Sequence, residues 1–231
     1  MKESVDFDQF AETYDAHLNQ ALAASGEGKE FFARGRVQWL VRCLRERKQD
    51  SPKVIDYGCG IGDTTVLLRE LLHTNSVIGL DISEHSLALA RRSHGAACRF
   101  LTFAEHTPDG STDAVYCNGV FHHIPPPERA ASVRYVYECL RPGGVFALWE
   151  NNPWNPGTQY VMFRCEFDRH ALKIAPPEAR RLLRNGGFEI LRTDFRFFFP
   201  RFLKMFRPLE DSLIRIPLGG QYMVLGRKPA A

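Results

Sequence analysis

The sequence predicts an α/β fold, a mostly parallel sheet with helices on both faces, and three observations carry that reading. Short apolar runs of strand length, at Val54, Val77, Cys98, Thr112 and Val145, are separated by stretches with helical spacing. The first run breaks at Gly58, Gly60 and Gly62, three glycines at alternate positions. The second run ends in an acid, Asp81, about twenty residues further on. Together they describe a strand, a tight turn and a helix that cradle a nucleotide-like ligand at the carboxyl end of the sheet.

The glycines allow positive φ and let the backbone approach a ligand closely. A dinucleotide fingerprint needs its third glycine one position later, where this chain has Asp63. A pyrophosphate there would also face the carboxylates of Asp56 and Asp63. A cofactor without phosphate and with positive charge suits such a loop. Asp56-Tyr57-Gly58-Cys59-Gly60-Ile61-Gly62 resembles the first motif of the class I S-adenosylmethionine-dependent methyltransferases, small-molecule branch. The resemblance implies a Rossmann-like seven-stranded sheet of order 3-2-1-4-5-7-6, with S-adenosylmethionine as cofactor and S-adenosylhomocysteine as product. It places Asp56 near the cofactor's ammonium and the Gly58, Cys59, Gly60 and Gly62 backbone around it. Asp81 and Ile82 then lie at the ribose, since a carboxylate accepts hydrogen bonds from both hydroxyls; the alternative is that Asp81 only caps the next turn.

Composition sets the outer limits. At 231 residues, 44% hydrophobic and 25% charged, the chain suffices for one domain: a helical cap over 1–50, a cofactor core over 51–150, and an acceptor loop with the last helix and strands over 151–231. No leading apolar region and no membrane-length apolar run are seen, so a cytoplasmic protein is expected. Six cysteines lack any C-x-x-C spacing and read as reduced, mostly buried thiols, with no metal site. The net charge of +3 hides a skew: residues 161–231 hold fourteen Lys and Arg against seven Asp and Glu, a net of +7. Either an anionic acceptor or a solvated arginine-rich helix face accounts for it.

Phe7, Phe10, Ala11 and Tyr14 lie at helical spacing, and a second stripe from Phe31 to Leu44 should pack on the sheet. In the resembled family a tyrosine like Tyr14 lines the cofactor pocket; here it either does so or packs the helix down. Relatives place an acid after the third strand, whereas this chain has Phe103, Ala104 and Glu105. Phe103 could stack on adenine with the Ala104 amide on a ring nitrogen, or Glu105 could take the acid's part.

Thr112 to Ile124 resembles the family's fourth motif, which puts Asn118 where the methyl group emerges. Its Asn-Gly-Val-Phe lacks the Asn-Pro-Pro-aromatic run with which relatives hold nucleobase amines, so nucleic acid is not the expected acceptor. His122 suits a general base because imidazole titrates near neutrality, and His123 is either a substrate contact or structural. The Arg141–Gly144 turn leads into a strand over 145–149. Beyond it, Glu150 to Asp168 is rich in Pro and Asn and reads as a surface loop above the cofactor. That loop supplies Glu150 as a catalytic candidate beside His122 and Asn118. It also offers Asn152, Trp154, Tyr160 and Arg164 as substrate contacts, joined by Arg201 of an aromatic insertion. The insertion reads as a lid, a membrane-surface patch or core.

The expectation is methyl transfer to a small, partly apolar, anionic or neutral acceptor, at oxygen. The alternatives are a cofactor-binding regulatory module without transfer, or an RNA or protein methyltransferase. The oligomeric state is not readable.

Overall fold

The computed structural model describes residues 22–47, 51–165 and 171–230. Tyr14, with the Phe7–Ala11 stripe, lies outside them. Seven strands form one sheet: β1 Val54–Tyr57, β2 Val77–Asp81, β3 Arg99–Thr102, β4 Thr112–Asn118, β5 Leu140–Asn151, β6 Glu189–Arg196 and β7 Gln221–Arg227. Their order is 3-2-1-4-5-7-6, as expected. β1 is central, parallel to β2 (Val54 opposite Val77) and to β4 (Val54 opposite Ala114). Because helices cover both faces, all four β1 residues are buried, and a parallel strand in that position reads as a continuous apolar run. Only β7 runs antiparallel, between β5 and β6.

One face is packed by α1 (Lys29–Arg45) and α2 (Asp63–Leu71), whose Val37, Leu40, Leu44, Leu67 and Leu68 meet Val54, Tyr116, Trp149 and Met223. The other face is packed by α4 (Arg129–Cys139) and α6 (Pro176–Asn185), where Val133, Val136, Ala179 and Leu183 meet Ile55, Tyr57, Val115 and Phe146. Each such side chain contributes about 1.5–3 kcal/mol on burial. α3 (Glu84–His94) completes the layers, setting Leu87 and Ala90 against Phe100 of β3. Because side chains alternate along a strand, Asp56 and its register partner Tyr116 point to the α1 side.

Three expectations are corrected. Glu150 to Asp168 is not all loop, because Pro156–Arg164 forms helix α5. Asn155 caps it by accepting from the Thr158 amide at 2.9 Å, and Pro156 fits the first helical position. β5 starts at Leu140, before the Arg141–Gly144 turn, because Leu140 already pairs with Thr112. The helix expected from Pro125 starts only at Arg129, since residues before prolines are steered away from helical backbone. The insertion forms a 3₁₀ helix over Arg201–Leu209 and a short helix α7 over Glu210–Leu213. Its parts differ: Phe197 packs against Phe31, Phe32 and Trp149, while Phe202 and Met205 are exposed. Buried Glu210 anchors the segment by accepting from the amides of Phe197, Phe198 and Phe199. All six cysteines are free and buried. Among the described residues no helix is long and apolar enough to cross a membrane.

Candidate active site

The turn after β1 is held from the neighbouring strand. Amides of Gly58 and Cys59 donate to the Leu80 carbonyl at 2.7 and 3.0 Å. The Gly60 amide donates to Asp81 Oδ2 at 2.7 Å, and the Ser83 amide to Asp81 Oδ1 at 2.9 Å. Asp81 therefore locks the loop to β2. A Cβ on Gly58 would lie 2.3 Å from Val120 Cγ2, so packing as well as its φ of 74° demands glycine there. A Cβ on Gly60 would meet nothing within 4 Å, so the loop presents bare backbone to open space at that point. Cys59 turns its thiol into the α3–β3 cluster, leaving only its backbone for a ligand.

Asp56 lies beneath this loop, buried, with Thr65 Oγ1 donating to its Oδ2 at 2.7 Å. Burial pushes its carboxyl up to about 7, against the Thr65 bond, which holds it down. Asp63, the other acid flanking the loop, pairs with Lys29 at 2.5 Å and with His94 at 3.1 Å. Beside Asp56 on the α1 side lies a residue that sequence reasoning missed. Arg36 is 7% exposed and donates to Tyr116 Oη at 3.0 Å and to Gln221 Oε1 at 2.9 Å.

Where β4 and β5 end, His122 and Glu150 form a buried pair, 3% and 2% exposed. His122 Nδ1 lies 2.5 Å from Glu150 Oε2, and the Phe121 amide donates to Oε1 at 3.0 Å. The turn that carries His122 is pinned by Arg129, also missed in the sequence, whose guanidinium donates to the carbonyls of Phe121, Ile124 and Leu172. Asn118 ends β4 opposite Trp149, and the His123 ring packs 4.1 Å from that of His122.

Residues 54–144 match the family model described as a methyltransferase domain. An uncharacterized methyltransferase of Synechocystis sp. is 30% identical over 149 residues, which span 61% of this chain and 68% of that protein. The chain is a class I S-adenosylmethionine-dependent methyltransferase. The demethylmenaquinone methyltransferase of Thermus thermophilus is 29% identical over 71% of this chain and 72% of its own length. The trans-aconitate 2-methyltransferase of Variovorax paradoxus is 35% identical over 43% of this chain, but only 38% of that protein is spanned. A solved S-adenosylmethionine-dependent methyltransferase of Thermotoga maritima superposes with a TM-score of 0.65 at 19% identity, over 96% of this chain and 98% of the other, which supports the fold.

The methyltransferase's loop fits its cofactor. Gly60 leaves open space where a side chain would intrude, and Ile82, 78% exposed beside Asp81, offers an apolar surface. Bound S-adenosylmethionine supplies an electrophilic methyl group on sulfur. Phe103 packs against Tyr57 at 4.8 Å and Tyr135 at 5.6 Å, and Ala104 is exposed. The Glu105 carboxylate is held by the Thr102 amide and hydroxyl, which keep it below its usual range.

The residues expected to meet the acceptor are scattered. Asn152 is fully buried and spends its side chain on the carbonyls of Pro217 and Gly219 and the Trp154 amide. It fixes the loop rather than facing an acceptor. Trp154 lines a groove of about 410 Å³ with Pro177, Arg180 and Thr193, between α6 and the edge strand β6. Tyr160 and Arg164 are exposed on α5, and exposed Arg201 lies against Gly26.

Proposed function

We propose that the enzyme methylates a small, partly apolar acceptor at oxygen, with His122 taking the proton and Glu150 orienting the imidazole. The observation that carries this is the 2.5 Å contact between His122 Nδ1 and a Glu150 carboxylate that is itself buried and amide-bonded. A carboxylate at Nδ1 puts the ring proton there and makes Nε2 the basic nitrogen. Methyl transfer from a sulfonium is an in-line displacement, so alignment and exclusion of water do most of the work. A base contributes when the nucleophile arrives protonated, as a hydroxyl does. The sequence left Glu150 and His122 as equal candidates for proton removal. The buried carboxylate, engaged at both oxygens, favours the histidine.

The relatives named for demethylmenaquinone and trans-aconitate support a small-molecule acceptor. Arg164 and Arg201, the cations expected to meet an anionic acceptor, are both exposed. In a release assay for S-adenosylhomocysteine over a panel of hydroxylated small molecules, His122→Gln should lower turnover by about 10²-fold or more, and Glu150→Gln by somewhat less. Cofactor affinity should stay within about twofold in both. Normal turnover in both variants would remove the pair from the chemistry.

A further inference from the structure

Among the described residues, the large apolar side chains left exposed gather at one end of the molecule. All belong to connections at the carboxyl ends of the parallel strands: after β2, after β5, and between β6 and β7. The densest group stands on the insertion, where Phe202 and Met205 are 78% and 76% exposed and Phe206 and Leu209 are exposed beside them. Single exposed apolar side chains are ordinary, but a group of four on one short segment marks a surface that something covers. Charge on the segment is sorted as well. Its acids are spent internally: Glu210 is buried on the amides of Phe197, Phe198 and Phe199, and Asp211 is held between Arg42 and Arg196 at 2.8 and 2.6 Å. Arg207 pairs with Glu27 at 2.9 Å and lies over the Phe31 ring, which bolts the segment to α1 and the turn before it. Arg201 and Lys204, interleaved in the chain with the apolar group, are exposed and form no ion pair among the described residues; Arg201 reaches only a neutral carbonyl, that of Gly26. The surface thus presents apolar side chains and cations outward, with the acids withdrawn.

We propose that this end of the molecule docks on an anionic phospholipid bilayer. Phe202, Met205, Phe206 and Leu209 enter the boundary between headgroups and acyl chains, while Arg201 and Lys204 meet lipid phosphates. Charge complementarity selects this occupant, because a purely apolar partner would leave the two cations without a counter-charge. The protein lies on the bilayer and does not span it, as no helix among the described residues is long and apolar enough to cross a membrane. The glycine loop and the His122–Glu150 pair belong to the same end of the sheet. A docked enzyme therefore opens toward the lipid, a natural source of a partly apolar acceptor. Docking itself does not depend on whether transfer is to oxygen.

The test is flotation of the full chain with two kinds of vesicle, phosphatidylcholine alone and phosphatidylcholine mixed with phosphatidylglycerol. Wild type should bind the anionic vesicles about tenfold or more tighter than the neutral ones, and high salt should remove the difference. The double variant Phe202→Ser, Met205→Ser should bind the anionic vesicles about 10²-fold more weakly, with its unfolding curve and its affinity for S-adenosylhomocysteine unchanged. Lys204→Glu should weaken binding to the anionic vesicles by about tenfold or more and leave the neutral ones as they were. The proposal is overturned if wild type floats with neither vesicle, or if the double variant binds as wild type does. Two other occupants would show themselves in the same proteins, and either overturns it. A dimer dispersed by the double variant, with no vesicle binding, makes the surface an interface between copies. A melting temperature lowered by the double variant, again with no vesicle binding, means that this chain covers the surface itself.

Discussion

Asp56 shows what burying a carboxylate beneath the glycine loop does to the fold. Burial lifts its carboxyl from 3.8 to about 7, so between those values the folded chain holds a proton that the unfolded chain has released. The associated stability is complete below about pH 4 and is lost as pH rises through 7. Asp56→Asn keeps an acceptor for Thr65 and has no such loss. Its stability relative to wild type should therefore improve by on the order of 2 kcal/mol between pH 5 and pH 8, read by denaturant unfolding at the two pH values. Parallel pH profiles would show that Asp56 is ionised in the folded protein throughout. The position of this acid was legible in the sequence from its distance to the glycines. Its protonation was not, because burial dominates it, with Thr65, Asp81 and Arg36 adding to or opposing that effect, and burial is not written in the motif.

The glycine loop separates two reasons for the same residue. At Gly58 a Cβ would strike Val120 at 2.3 Å, and at Gly60 it would strike nothing. Gly58→Ala should cost about 2–3 kcal/mol of stability, from strain and overpacking. Gly60→Ala should cost only about 1–2 kcal/mol, the left-handed backbone penalty. Yet it should weaken S-adenosylhomocysteine binding by about tenfold or more, since its methyl fills ligand space. Unfolding curves together with binding isotherms separate the two, and equal effects on stability and binding in both variants would contradict the assignment. Glycine spacing announced the loop, but it could not say which glycine serves packing. Helix α5 was hidden for a related reason: Asn-Pro reads as a turn until Asn155 is seen capping the helix that Pro156 begins.

Across the whole molecule, the strand order came from the resemblance carried by the glycine loop, and the strands themselves from the alternation of buried runs and helical stripes, which records local burial faithfully. Contacts between distant residues stayed hidden. Trp39 Nε1 donates to Asp194 Oδ2 at 2.9 Å, and Arg192 Nε pairs with the same buried carboxylate at 2.5 Å. This cluster ties α1 to the edge strand, and it accounts for part of the basic skew of the last third as internal pairing. Asp194→Ala removes the acceptor that Arg192 Nε and Trp39 share and should destabilise the fold by about 3–5 kcal/mol, seen as a lowered melting temperature. S-adenosylhomocysteine affinity at a temperature where the variant is folded should be nearly unchanged; a large loss of affinity would mean that α1 transmits strain to the glycine loop.

The central claim is that the cofactor sits at the carboxyl ends of β1 and β2, with Asp81 on the ribose. Calorimetric titration of S-adenosylhomocysteine into wild type and Asp81→Asn tests it most directly. Asn preserves an acceptor for one loop amide while removing the charge, and losing a charge-assisted bond of about 1.5–3 kcal/mol predicts at least tenfold weaker binding. An unchanged dissociation constant would contradict the account and move the ribose away from this loop.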